Sequence, residues 1–217
     1  MNRRALAAAL ALLVAAAVQP PASWAGWAGS KAGKAWMVKH SESKAGWRDE
    51  WTLWLADGIG GFAGKDGAPW DAIPMRPDFA GEYCPNYNKM GSDEKREFII
   101  ELFKAVAKAE SGWDPSIINS TNRSAQGLFQ MSGPTDMGSC QAATHAAPNP
   151  KNPKANILCA VLKLMPVFYW EHTFSADTYG PNRFNMFFET LQTRKSAATL
   201  KRLKERIPEA VPACKLK

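Results

Sequence analysis

Residues 107–130 read AKAESGWDPSIINSTNRSAQGLFQ, and the residue in them best suited to chemistry is Glu110. It follows an apolar stretch with helical spacing and precedes Ser111, Gly112, Trp113 and Pro115. Neither of its sequence neighbours is basic. Leu102, Val106 and Glu110 recur every four residues, so on a helix they stack on nearly one face, and that face points at a core. A carboxyl placed there loses water and sits at the negative end of the helix dipole. Both effects disfavour the ionised form and raise its pKa. Lys104 and Lys108 are expected on other faces, where they do not oppose the shift. A carboxylic acid that keeps its proton near neutral pH is what general acid catalysis requires. The plain alternative is a glutamate at a helix end that reaches water.

The elements that must position Glu110 are legible around it. Ser92-Asp93-Glu94 reads as a helix start, with a hydroxyl cap followed by two acids at the positive end of the dipole. Phe98, Ile99, Leu102, Phe103 and Val106 recur at helical spacing, and Gly112 and Pro115 stop the helix. GLFQMS is short and strand-like, and THAAPNPKNPKAN is a loop. Ile157 to Met165 is apolar nearly all round, so a buried helix is expected, with Pro166 ending or kinking it. Further helices are expected over Phe184 to Leu191 and Thr199 to Ile207. The fold class is mainly α (α+β), with one small β element and no internal repeat.

Before this compact part the composition changes. Residues 26–82 hold six of the nine tryptophans: Trp27, Trp36, Trp47, Trp51, Trp54 and Trp70. GWRDEWTLWLADG predicts a short amphipathic helix with Trp47, Trp51, Trp54 and Leu55 on one face. GIGGFAGKDGAPWDAIPMRPDFAG is full of turn signals and is expected to be irregular. The segment reads either as an arm holding the wall or a protein partner, or as an extension whose tryptophans patch the main core.

The first residues read as an address. Asn2-Arg3-Arg4, the apolar run Ala5 to Val18 and the small residues Ser23 and Ala25 predict a secretory signal peptide over 1–25, leaving 192 residues. The apolar run is short for a membrane span, and none is expected. In an exported chain four cysteines are expected to pair, and three pairings exist. Cys140 with Cys159 closes a short loop, and Cys84 with Cys214 ties the two ends of the folded part, so this pairing is favoured. Without CxxC or HExxH spacing, and with His40, His145 and His172 scattered, no metal and no cofactor are expected. The net charge of +7 suits an anionic polymer or surface, and export with no visible motif argues against nucleic acid.

Glu110-Ser111 with Trp113-Asp114-Pro115, then Ser124-Ala125-Gln126-Gly127-Leu128-Phe129-Gln130, then Asn156-Ile157, resembles the lysozyme-like lytic transglycosylases of the soluble-lytic-transglycosylase type. The resemblance covers residues 83 to roughly 190, and YCPNYNKM and the Cys140–Cys159 region resemble an exported subgroup of that family. It implies a catalytic domain over 83–217, peptidoglycan glycan strands as substrate and partner, and a periplasmic location beyond an inner membrane. It implies cleavage between N-acetylmuramic acid and N-acetylglucosamine to a 1,6-anhydro product, without water. One carboxyl then acts as acid and afterwards as base, whereas most glycosidases need two.

The resemblance also distributes roles. Gln130 matches a groove glutamine that contacts substrate, the alternative being an amide that satisfies the hairpin. Asn119 or Ser120 matches a small polar contact near the acid, and Ser111 a support of the helix end. Phe129 stands where methionine is usual, and Asn156 at a position read as capping the core helix. The Ala-Tyr-Asn-x-Gly stretch of the family is absent, and Tyr179 in FSADTYGPNRF is the candidate to replace its tyrosine. Two rivals stand beside this reading. A hydrolytic muramidase would need a second acid, with Asp114, Asp136, Glu171 and Asp177 as candidates by type, although Asp114 before Pro115 reads as a turn cap. A wall-binding or assembly protein would keep the groove without turnover.

Overall fold

The computed structural model describes residues 46–62, 67–120, 124–132, 137, 138, 140, 149–171 and 197–215. Among the described residues five helices have defined bounds: α1 (Asp49–Gly61), α2 (Pro77–Tyr83), α3 (Ser92–Ser111), α4 (Pro153–Glu171) and α5 (Ala197–Ala210). Short 3-10 turns lie at Trp70–Ala72, Tyr87–Lys89 and Pro212–Cys214. The strands β1 (Ala125–Gln126) and β2 (Met131–Ser132) pair antiparallel, with Ala125 opposite Ser132 and Gln126 opposite Met131. The protein is thus mainly helical with one small sheet.

The helix α3 lies at the centre. Phe98, Ile99, Ile100, Leu102, Phe103, Val106 and Ala107 are all buried, so more than one of its faces is covered. It packs against α1 and α5, while α1 packs most extensively on α4. Gly58 permits that approach, since a Cβ there would lie 3.2 Å from Leu158 Cδ2 and 3.3 Å from Val161 Cγ2. Trp47, Trp51, Leu55 and Ile59 belong to the same buried cluster as α3 and α4, and Trp54 packs against it half-buried. The predicted helix over this tryptophan run therefore exists, and its apolar side faces the core of the protein.

Several local expectations are corrected. The start of α3 is capped by Gly91, whose N–H donates to Glu94 Oε2 at 3.0 Å. Ser92, expected as the cap, is already helical and donates its hydroxyl to Asp71 Oδ2. Lys95 Nζ donates to Asp71 O at 2.6 Å, so these bonds fasten the turn at Trp70–Ala72 to the head of α3. The stretch expected to be irregular contains α2, which opens with Pro77, a residue whose fixed φ suits the first helical position. Pro166 lies inside α4 without ending it, and Pro208 lies inside α5. Around Pro166 the buried side chains Leu164, Met165, Val167 and Phe168 supply packing that outweighs one missing backbone bond.

Cys84 is bonded to Cys214 and Cys140 to Cys159, as the favoured pairing has it. All four cysteines are buried. Among the described residues no helix is long and apolar enough to cross a membrane. The expected signal peptide, the helix expected over Phe184 to Leu191, and Tyr179 lie outside the described residues.

Candidate active site

Glu110 is the penultimate residue of α3 and is half-buried. Val106 and Leu102, one and two turns before it, are fully buried, so the carboxyl continues an interior face. The two preceding lysines are engaged elsewhere. Lys104 Nζ lies 2.6 Å from Glu101 Oε1 in an ion pair buried on both sides. Lys108 Nζ sits 4.4 Å from the ring centre of Trp113. The pair of Glu101 and Lys104 escapes sequence reading, because an i,i+3 Glu and Lys look alike whether a helix face is wet or dry.

The chain turns sharply after Glu110, and each step is held. Ser111 Oγ donates to Ala107 O at 3.0 Å, and Gly112, at φ 65°, donates its N–H to Lys108 O. Trp113 follows with φ 71°, a left-handed conformation that costs a residue with a side chain about 1–2 kcal/mol. Its indole Nε1–H donates to Lys104 O at 2.7 Å, so the ring folds back along the helix. The Asp114 carboxylate accepts from Ser116 Oγ at 2.6 Å and Ser116 N–H at 2.8 Å. The Ser116 hydroxyl, then its N–H, hold this carboxyl below its usual pKa. Asp114 is exposed and serves the turn.

The chain then enters the small sheet. Asn119 N–H donates to Ala125 O at 2.8 Å, Gly127 N–H donates to Ile117 O at 3.0 Å, and Ile118 bridges to Gln126. The run GLFQ, expected within a strand, is instead the turn between β1 and β2, since Gly127 and Gln130 both have positive φ, at 79° and 48°. Gln130 Nε2 donates to Gly127 O at 2.9 Å and to Ile117 O at 3.3 Å, which places its amide within the hairpin. Asn119 is half-buried, and Ser120 next to it is exposed. Phe129 stacks edge-on against Phe103 at 5.8 Å. Phe103 and Glu110 are seven residues apart, within about 20° of each other around the helix. The hairpin tip is thereby laid on the side of α3 that carries the acid.

Asn156 is the residue whose role the sequence concealed. It was expected to cap α4, but Asn152 does that, accepting from Ala155 N–H at 3.1 Å. Asn156 is fully buried and grips the hairpin instead. Its Oδ1 accepts from Phe129 N–H at 2.8 Å, and its Nδ2 donates to Pro150 O at 2.9 Å and Gln126 O at 3.1 Å. Among the described residues no group of three His, Cys, Asp or Glu side chains is arranged to hold a metal ion.

Comparison with known proteins bears on the same segment. Residues 90–169 match the family described as Transglycosylase SLT domain, a span that includes all of α3, the hairpin and most of α4. No curated protein and no solved structure matches the chain. The central helix that carries Glu110, the hairpin laid against it and most of the helix that grips the hairpin are thus the parts of the chain that match a transglycosylase SLT domain, a domain of lytic transglycosylases that implies cleavage of the glycan of peptidoglycan.

Proposed function

We propose that the protein cleaves the β-1,4 bond between N-acetylmuramic acid and N-acetylglucosamine without water, with Glu110 as acid and then base. The observation that carries this reading is the half-buried carboxyl at the end of α3, inside the matched segment and continuing the buried face of Leu102 and Val106. The protonated carboxyl gives its proton to the bridging oxygen as the C1–O bond breaks. The resulting carboxylate takes the proton of the C6 hydroxyl as that oxygen bonds to C1, so the acid is regenerated and a 1,6-anhydro ring closes. Gln130, Asn119 and Ser120, in the hairpin and the chain leading into it, are proposed to contact the sugar, and Tyr179 is proposed to complete the site. A bent hairpin amide such as Gln130 can do this only with its carbonyl oxygen, because its Nε2 is spent on Gly127 O and Ile117 O.

The reading divides the chain into a signal peptide (1–25), an extension (26–82) and a catalytic domain (83–217), with the extension from Trp47 onward lending side chains to the catalytic core. Two disulfides and a wall-directed domain suggest an extracytoplasmic protein. Export across an inner membrane to a periplasm is the finer proposal. The test is the mass spectrum of a peptidoglycan digest. Wild type should release fragments one water lighter than hydrolysed ones, and Glu110→Gln should fold normally and release none. Hydrolysed ends would replace this mechanism with a muramidase, and full activity in Glu110→Gln would remove the assignment.

A further inference from the structure

The family match begins at residue 90, yet the end of α3 leans on residues far before it. The indole of Trp113 is held from several sides. Its N–H reaches Lys104 O at 2.7 Å, Lys108 Nζ stands 4.4 Å from its ring centre, and the Arg206 guanidinium stands 5.9 Å away. The remaining edge meets Trp47, with ring centres 6.2 Å apart and planes inclined by 66°. Trp47 is itself fixed. Its Nε1–H donates to Thr52 Oγ1 at 2.9 Å, and its ring stands perpendicular to that of Trp51 at 5.3 Å. Both tryptophans are buried.

We propose that Trp47, with the first turn of α1, is a positioning element for the proposed acid Glu110 and acts through Trp113. The inference rests on the catalytic reading of Glu110 given above. The last turn of a helix lacks partners for its carbonyls and frays unless something holds it. Glu110 lies in that turn, and misplacing a reacting group by about 1 Å costs on the order of 10²-fold in rate. The Trp113 ring spans the turn by bonding back to Lys104, but only while its left-handed backbone is kept in place. Trp47 closes the side on which the ring would otherwise leave. A part of the chain outside the matched domain thereby contributes to the geometry of the site.

The test uses the full chain and soluble peptidoglycan glycan strands. Trp47→Leu keeps apolar filling but removes the aromatic edge, and Trp47→Phe restores an edge. Ile59→Ala removes a comparable buried group from α1 about 12 Å further along the helix from Trp51. At a temperature where circular dichroism shows every variant folded, Trp47→Leu should lower kcat about tenfold or more with little change in KM. Amide exchange in the 107–113 peptide should rise, Trp47→Phe should recover most of both, and Ile59→Ala should keep wild-type kcat. In a Trp113→Phe background the loss from Trp47→Leu should shrink, because coupled residues are not additive. Unchanged kcat and exchange in Trp47→Leu, or an equal loss in Ile59→Ala, would overturn the inference. Glu110→Gln separates the two layers: if it is inactive while Trp47→Leu is normal, only the clamp falls, and if it is active, the catalytic reading falls.

Discussion

Replacing Gly127 with alanine tests the tightest point in the structure. A Cβ at this position would lie 2.1 Å from Pro150 O, 2.6 Å from Asn156 Nδ2 and 3.1 Å from Asn156 Cγ, on a backbone with φ 79°. The left-handed conformation alone costs a non-glycine residue about 1–2 kcal/mol. Forcing a methyl into packed surroundings adds about 1–3 kcal/mol. Each of the two bonds that Asn156 donates, to Pro150 O and Gln126 O, is worth about 1 kcal/mol and is disturbed when the side chain retreats. Together these predict a loss of about 3–6 kcal/mol, set against a typical total of about 5–15 kcal/mol. The assay is urea unfolding followed by tryptophan fluorescence with the disulfides intact. Gly127→Ala should lower the midpoint strongly and the melting temperature by about 10–20 °C. A second variant sharpens the argument. Asn156→Ala removes the 2.6 Å contact but leaves the 2.1 Å contact with backbone, so Gly127→Ala/Asn156→Ala should be no more stable than Gly127→Ala. An unfolding free energy within about 1 kcal/mol of wild type for Gly127→Ala, or rescue in the double variant, would refute the reasoning.

Other expectations follow from single features. Cys84→Ala/Cys214→Ala should lose about 2–5 kcal/mol in the same unfolding assay, because the bridge closes a separation of 130 residues in the unfolded chain. Lys104→Met should lose about 3–5 kcal/mol by stranding the buried Glu101 carboxylate, while Glu101→Leu/Lys104→Met should recover most of it; an equal loss in both would contradict a paired burial. Partial desolvation holds the Asp57 carboxyl above its ordinary pKa of 3.8, with Lys154 opposing only in part. A raised folded pKa gives stability that is complete below 3.8 and lost as pH rises through the folded value. Asp57→Asn should therefore match wild type near the acid end and gain a higher relative melting temperature at pH 7, and a gain confined to low pH would reverse the sign.

The parts legible in the sequence are those whose signals are local. The central helix could be placed because its apolar side chains recur at helical spacing and Gly112 ends it, and Glu110 could be placed on an inward face by the same spacing. The pairing of cysteines was readable because few pairings exist and one of them joins natural ends. The parts that were not legible depend on contacts between distant segments. Asn156 looks like any residue near a helix start, and only the arrival of the hairpin shows why an amide with donors and an acceptor is needed. Trp113 gives no sign in sequence of its left-handed backbone, which the back-bond to Lys104 maintains. Pro166 carries a breaker signal that buried packing overrides. Gln130 sits at the meeting of the two kinds: the motif locates it, but only the fold shows which of its amide atoms are already spent.

The bond between Cys84 and Cys214 turns most of the described fold into a covalent ring, with the smaller ring of Cys140 and Cys159 inside it. A protease that cuts once anywhere between those outer cysteines opens the ring without releasing a fragment. Nicked and intact protein would then travel together on a non-reducing gel and part only when a thiol is added. An enzyme working among extracellular peptidases would keep its pieces in register after such a cut.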